Sequence, residues 1–292
     1  MTPIDRRRFL GTTGLAAAGL ALAEAKADAT AAPRLRKAFM LGGDLRKGQL
    51  RDQFRRLKDA GFEGVEINSP NDVDRDEVLQ ARDSTGLVIH GVCDSAHWKD
   101  TFSDPDPKVV ARGVEAAKKA IADCAAYGGT TVLLVPAVVN RQVNHRDAYA
   151  RSQAAIKQLI PDAERHKVKL AIEEVWNKFL LTPPEFARYI DEFRSPAVGA
   201  YFDVGNVVEY GYPEQWIKEL GKRILKVHIK EYAKPKRFDY LLGEGKEIDW
   251  PAVRRAFDEV GYHGWVTAEV PGGDLDALKD VVRRMDRVLG LG

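Results

Sequence analysis

The chain repeats one pattern eight times, in which a short apolar run with strand character is followed by a segment with helical periodicity. Strands that alternate with helices pair in parallel, and eight such units close into a barrel. The pattern therefore predicts a single α/β domain, a parallel eight-stranded (β/α)8 TIM barrel. We expect its strands at residues 37–41, 62–67, 87–92, 131–135, 169–173, 197–202, 224–229 and 265–268.

The N-terminus has the composition of an export signal. A basic start at Arg6, Arg7 and Arg8 precedes an apolar stretch and then small-x-small cleavage sites near Ala25, which is typical of a secretory signal rather than a membrane span. The paired arginines before x-Phe-Leu resemble the bacterial twin-arginine leader, so we expect a periplasmic or secreted protein that is exported folded. An anchor that is never removed is the alternative. The predicted divisions are a twin-arginine-type signal peptide at 1–27, a linker at 28–36 and the barrel at 37–292.

The signal also accounts for the basic character of the chain. It carries four positive and two negative side chains, so the formal net charge of +2 falls to zero without it. A neutral chain does not favour a polyanion such as nucleic acid as its partner. Cys93 and Cys124 are expected as buried thiols, since two cysteines are too few for a disulfide framework.

Acidic or imidazole side chains stand at the ends of the last four predicted strands: Glu173 or Glu174, then Asp203, His228 and Glu269. The carboxyl ends of barrel strands meet at one end, where active sites lie, so these side chains are expected to converge. A single such group is more simply a surface charge or a helix cap, but four on consecutive strands favour a site. Three carboxylates and one imidazole suit one divalent ion, Mn²⁺ first, with Mg²⁺ or Co²⁺ as alternatives.

Strand alternation indicates which of these side chains point into the barrel. The positions that would face helices next to Asp203 and Glu269 are apolar, which places both carboxylates inside. On the fifth strand, Glu173 and Glu174 satisfy the alternation equally well, so that the pattern alone leaves the choice open.

Five segments in the C-terminal half carry motifs in a fixed order. They are Glu174-Val175-Trp176-Asn177-Lys178-Phe179, Phe202-Asp203-Val204-Gly205-Asn206, Val227-His228-Ile229-Lys230-Glu231, Ala268-Glu269-Val270-Pro271, and Leu242-Gly243-Glu244-Gly245 with Ile248-Asp249-Trp250. This ordered set resembles the xylose isomerase-like barrel superfamily of sugar isomerases and epimerases, also called sugar phosphate isomerase/epimerase proteins. The resemblance implies that Glu174, rather than Glu173, is the ligand, because the glutamate of the E-V-x-N-[RK]-F motif binds the metal in keto-sugar 3-epimerases. Leu180 stands where those enzymes carry a sugar-binding glutamate, which argues against a free ketohexose as the substrate.

The resemblance also implies an enzyme in which Glu174 and Glu269 are catalytic and face opposite sides of a sugar. Each would use one oxygen for the metal and the other for proton transfer through an enediolate, which gives an epimerase or isomerase. A secreted 3-keto-glycoside lyase or hydratase, using the same metal and bases, is the first alternative. A sugar-binding barrel without catalysis is the second. Endonuclease IV-type repair needs many more histidines than the six of this chain. The expected partner is a small-molecule sugar or glycoside, with no nucleic acid and no membrane span in the mature chain. Pairing into a homo-oligomer is common among such barrels.

Six further residues are candidates for substrate binding: Asn206, Glu231, His97, Glu66, Lys226 and Trp176. Asn206 takes the position where related epimerases carry a histidine. Glu231 opens the long polar segment 231–247, and loops at that end of a barrel usually shape the pocket. Lys226 is expected to point inward beneath the metal, where it would balance ligand charge or only hold a carboxylate in place. For Trp176 the alternative is packing, and for Glu66 it is capping of a loop.

Overall fold

The computed structural model describes residues 34–43 and 45–291, and the expected signal at residues 1–27 lies outside them. The described residues contain eight parallel strands that pair in chain order and close into a barrel. The strands are β1 (Arg36–Gly42), β2 (Gly64–Ser69), β3 (Val88–Asp94), β4 (Thr131–Leu134), β5 (Lys169–Glu173), β6 (Val198–Asp203), β7 (Ile224–Ile229) and β8 (Trp265–Ala268).

Each strand of the described barrel is followed by one α-helix. The helices are α1 (Leu50–Ala60), α2 (Arg75–Thr85), α3 (Pro107–Tyr127), α4 (His145–His166), α5 (Pro183–Asp191), α6 (Pro213–Leu220), α7 (Trp250–Val260) and α8 (Leu275–Leu289), with short 3-10 helices at Asn206–Glu209 and Gly221–Arg223. The predicted (β/α)8 barrel is thus confirmed. Within residues 34–43 and 45–291, none of the helices has the length and apolar character that crossing a membrane requires.

The core between strands and helices is continuous and apolar. Strand residues such as Val65, Ile172 and Val227 belong to the same buried cluster as the helix residues Ile121 and Ile156. Each such side chain stabilises the fold by about 1.5–3 kcal/mol when fully buried. Alternate strand residues therefore point outward to the helices, and the residues between them are directed into the barrel. Both cysteines are free and buried, as predicted.

The barrel interior, in contrast to the outer core, contains many polar side chains. Buried interior residues include Glu66, His90, Lys226, His228 and Thr267. A Cβ atom on Gly64 would lie 2.5 Å from the Trp265 ring, so that only glycine leaves room for this indole at the base of β2. Buried polar groups need partners, and those available here lie on other strands of the barrel.

Candidate metal centre

Four side chains at the carboxyl ends of β5 to β8 converge. They belong to Glu173, Asp203, His228 and Glu269, and one candidate ligand atom from each lies within 4.8 Å of the others. The first three are buried and Glu269 is partly buried. The cluster is at the end of the barrel at which enzymes of this architecture carry their active sites.

Strand register explains this convergence. Asp203 and His228 are paired residues of β6 and β7, so that they lie at one level of the barrel. Glu173 is the last residue of β5, and Glu269 follows β8 directly, where its backbone N–H donates to the Ile229 carbonyl at 3.0 Å. All four are therefore neighbours because parallel strands end together, although 96 residues of chain separate the first from the last.

The structure corrects the choice made on β5, since Glu173 rather than Glu174 lies in the cluster. Ala171 and Glu173 point into the barrel, whereas Ile172 belongs to the outer core. Alternation therefore turns Glu174 away, and its Oε1 accepts a hydrogen bond from the backbone N–H of Asp203 at 2.8 Å. Glu174 thus links the ends of β5 and β6. Glu173 therefore takes the place in the cluster that was expected of Glu174.

The carboxyl groups of Glu173 and Glu174, at the end of β5 and directly after it, are both shielded from water. Burial raises the pKa of Glu173 to about 7, although the hydrogen bond to His228 opposes the shift. Burial also raises the pKa of Glu174 well above its ordinary value, and the nearby Glu173 carboxylate adds to this effect.

His228 contacts carboxylates with both ring nitrogens. Its Nδ1 lies 3.1 Å from Oε1 of Glu173, 3.4 Å from Oε2 of Glu269 and 4.0 Å from Oδ2 of Asp203. Its Nε2 lies 3.1 Å from Oε1 of Glu66. Burial opposes a charged imidazole, but the facing carboxylates outweigh it and raise the pKa of His228 well above its ordinary value. If Nδ1 is a ligand, Nε2–H donates to Glu66, which is the usual arrangement of a metal-bound histidine.

Lys230 is a member of this site that the sequence interpretation did not single out. Its Nζ lies 2.7 Å from Oε2 of Glu269 and 3.1 Å from Oδ2 of Asp203. Burial alone would lower the pKa of the Lys230 ammonium, but the two carboxylates outweigh it and raise the pKa. The signal was present, because Lys230 follows His228 by two positions and so shares its face.

A cavity of about 270 Å³ opens beside the cluster and is bordered by two of its carboxylates, Glu173 and Glu269. Its remaining lining residues are Met40, Cys93, His97, Trp98, Val135, Val175, Trp176, Asn206, Lys230 and Phe238. Apolar and aromatic walls around a few polar groups are typical of a small-molecule site.

Three of the predicted substrate-binding residues line this cavity. His97 is buried, and burial lowers its pKa to about 4, so its imidazole is neutral at pH 7. The Trp176 Nε1–H donates to the Asn206 carbonyl at 3.0 Å. The Asn206 side chain donates in turn to the Glu174 carbonyl at 3.0 Å, so that these residues connect the loops after β5 and β6.

The other three predicted residues do not line the cavity. Glu66 is fully buried in the barrel, where it contacts His228. Glu231 accepts hydrogen bonds from the Gly243 backbone N–H at 2.6 Å and the Trp250 Nε1–H at 3.1 Å, and these bonds fasten the polar loop.

Lys226 points inward as predicted, with its Nζ 5.8 Å from the Trp265 ring centre, and burial lowers its pKa to about 7. Leu180 is also buried and is not among the residues that line the cavity.

The cluster fits a divalent ion by its donor chemistry. Three carboxylates and one imidazole are hard ligands, and atoms that lie within 4.8 Å of one another can surround one cation. Asp203 Oδ1 already accepts from the Asn206 backbone N–H at 2.8 Å, which leaves Oδ2 for an ion.

Comparison with known proteins agrees with this architecture. The chain is 27% identical over 208 residues to the L-ribulose-5-phosphate 3-epimerase UlaE of Escherichia coli O1:K1 / APEC, which spans 68% of this chain and 72% of that protein. It is 25% identical over 252 residues to UlaE of Salmonella typhi, over 80% of this chain and 88% of that protein. A solved L-ribulose 3-epimerase has the same fold, with a TM-score of 0.73 at 22% identity over 88% of this chain and 95% of that chain. Residues 54–288 match the xylose isomerase-like TIM barrel family, and because they span most of the chain, the protein belongs to that family.

Proposed function

We propose that the protein is a divalent-metal-dependent sugar epimerase that inverts a carbon next to the carbonyl of a small ketose. One observation carries this proposal: Glu173 and Glu269 belong to one candidate metal centre and also border one cavity. A protein that only binds sugar does not need two carboxylates that face its ligand in this way. The similarity to L-ribulose-5-phosphate 3-epimerases supports carbon 3 of a ketose as the reacting centre.

Glu173, Asp203, His228 and Glu269 would hold the ion, for which Mn²⁺ is the first candidate and Mg²⁺ or Co²⁺ are alternatives. When bound, such an ion supplies Lewis acidity to the carbonyl and hydroxyl oxygens of the sugar, which makes the adjacent C–H more acidic. Glu66 would hold the His228 ring with Nδ1 toward the ion, by accepting the Nε2–H.

The two carboxylates would transfer the protons. Glu173 and Glu269 extend from the ends of β5 and β8, three strands apart around the barrel, so they approach a sugar from different sides. The ionised carboxylate removes the C–H proton, and the electron pair left on carbon forms the enediolate. The protonated partner then gives its proton to the opposite face, which inverts the centre. After this step the two carboxyl groups have swapped protonation states, and proton exchange with solvent restores the original ones.

The cavity suits one sugar unit. Its volume of about 270 Å³ lies just below the roughly 300–1,000 Å³ of drug-sized pockets. Trp176 and Phe238, with ring centres 5.0 Å apart, offer apolar faces to the C–H side of a sugar. His97 and Asn206 add neutral polar groups on the same lining.

Incubation of the Mn²⁺-loaded protein in D₂O with L-ribulose, D-allulose and L-ribulose 5-phosphate tests this function. We expect one of these ketoses to gain deuterium at carbon 3 as its epimer appears in the NMR spectrum. Binding without deuterium uptake would contradict the proposal and leave the sugar-binding alternative. Deuterium uptake without an epimer would instead favour isomerisation. In a parallel incubation with a 3-keto-glycoside, release of the aglycone would favour elimination.

We propose in addition that residues 1–27 direct export of the folded protein to the periplasm. The basis is the Arg6-Arg7-Arg8-Phe9-Leu10 start and the apolar stretch after it. Residues 1–36 fused to a reporter that folds in the cytoplasm should reach the periplasm, and a double Arg6→Lys, Arg7→Lys change should stop this transport. Equal transport by both fusions would exclude the twin-arginine route.

A further inference from the structure

We infer that the Lys230 ammonium and a divalent ion are alternative partners of the same two carboxylate oxygens, and that Lys230, once displaced, donates a hydrogen bond to the substrate's oxygens. The hydrogen bond to the substrate rests on the proposed function, whereas the competition for the two carboxylate oxygens concerns ion binding alone. Lys230 would thus be both the internal counter-ion of the centre and a substrate-binding residue.

The argument begins with the oxygens that an ion would use. Oδ1 of Asp203 is engaged by the Asn206 backbone N–H, so Oδ2 is the atom left for an ion. Oε2 of Glu269 is the oxygen 3.4 Å from Nδ1 of His228, and it therefore faces the centre of the cluster. Lys230 Nζ lies 3.1 Å from this Asp203 oxygen and 2.7 Å from this Glu269 oxygen.

The fold leaves space for the Lys230 side chain at this position. A Cβ atom on Gly205 would lie 2.6 Å from Cγ of Lys230 and 2.9 Å from its carbonyl oxygen, so the absence of a side chain there gives the lysine its path. The Phe238 ring centre lies 5.0 Å from Nζ, and both residues line the cavity. A short movement away from the carboxylates would therefore bring the ammonium toward a bound sugar.

The charge of the centre explains why it would need Lys230 both with and without a bound ion. Three carboxylates crowd one point, and Lys230 offsets part of their mutual repulsion when no ion is bound. A divalent ion on the same oxygens repels the ammonium, which cannot keep both contacts. With the ion, three carboxylates and a neutral His228 would have a net charge of −1, and Lys230 brings this to zero before the enediolate adds a further negative charge.

Ion binding provides a test that needs no substrate. We would compare Lys230→Met with Lys234→Met, a control that removes a lysine from the surface, where its Nζ lies 3.6 Å from Glu209. Calorimetric titration of chelator-treated protein with Mn²⁺ should show about tenfold tighter binding for Lys230→Met and no change for the control. Chelator-treated Lys230→Met should also melt at a lower temperature than wild type, and saturating Mn²⁺ should narrow the difference.

Mn²⁺ affinity that is equal to or weaker than that of wild type would overturn the shared-oxygen inference. Lys230→Gln controls for a folding defect in Lys230→Met, because glutamine is polar but uncharged. The inference requires that both variants bind Mn²⁺ more tightly than wild type.

The substrate half is tested with ion-saturated protein. If the ammonium stabilises the enediolate, Lys230→Met should lose about 10²- to 10³-fold in kcat, while KM changes much less. An unchanged kcat would show that Lys230 does not contact the reacting oxygens. If wild type epimerises none of the sugars, the proposed function fails, but the Mn²⁺ affinities still decide the first half.

Discussion

Nε2 of His228 lies 3.1 Å from Oε1 of Glu66, while Nδ1 of the same ring faces Glu173 and Glu269. The other Glu66 oxygen accepts from the Tyr201 hydroxyl at 2.6 Å. The candidate metal centre is thus connected to the polar interior of the barrel through one imidazole.

Glu66→Gln should weaken Mn²⁺ binding by about 10- to 100-fold, because outer partners of a ligating histidine orient the ring and raise its basicity. Tyr201→Phe, which removes only the hydroxyl that donates to Glu66, should have a smaller effect. Competition with a fluorescent chelator measures both. Unchanged affinity in Glu66→Gln would mean that His228 is held in place by other contacts.

Glu173→Gln and Glu174→Gln form a matched pair of adjacent changes. Glu173→Gln should abolish stoichiometric ion binding, since it removes a charged ligand. Glu174→Gln should keep Mn²⁺ affinity within about threefold, because the amide oxygen can still accept from the Asp203 N–H. Metal analysis after gel filtration distinguishes them, and loss of the ion in Glu174→Gln alone would restore the assignment that the motif implied.

Binding of the ion should stabilise the fold, since the four ligands come together only in the folded barrel. At a free concentration of 100 times Kd, linkage predicts about 2.7 kcal/mol of added stability. For a domain of this size that raises Tm by about 5–10 °C. Scanning calorimetry with EDTA and with Mn²⁺ measures this shift. Asp203→Asn, which weakens the site, should show little of it.

Asp94 should make stability depend on pH. Burial raises its pKa to about 7, and one of its carboxylate oxygens has no hydrogen-bond partner within the described residues. The folded state holds a proton here that the unfolded state loses above pH 4. Stability from this group is therefore present at low pH and falls as the pH rises from about 4 to 7, by on the order of 3 to 4 kcal/mol. Urea unfolding of EDTA-treated wild type and Asp94→Asn should show curves that diverge over this range. Parallel curves would refute the prediction.

The strand order and the barrel could be predicted from the sequence because both depend on local alternation. The predicted strand ends were close to the observed ones. Strands β3 and β6 run slightly further than predicted, to Asp94 and Asp203. Polar residues at strand ends are hard to assign by pattern, since the apolar signal stops before the backbone pairing does.

For Glu173 and Glu174, local pattern and motif similarity were insufficient to identify which side chain lies in the cluster. Both are acidic, adjacent and buried, and they differ only in the direction in which the end of β5 turns them. Glu231, which was expected to contact the substrate, lies outside the cavity lining for a related reason. Its partners Gly243 and Trp250 lie in the polar loop and at the start of α7, and their positions are not encoded in strand alternation.

The sequence by itself determined the eight-unit barrel and the positions of Asp203, His228 and Glu269 at strand ends, because periodicity and spacing are properties of the chain alone. Only the tertiary structure decided that Glu173 joins them, that Lys230 binds two of their oxygens and that Glu66 supports the imidazole. These contacts join strands up to 162 residues apart, and their distances depend on how the closed barrel aligns those strands.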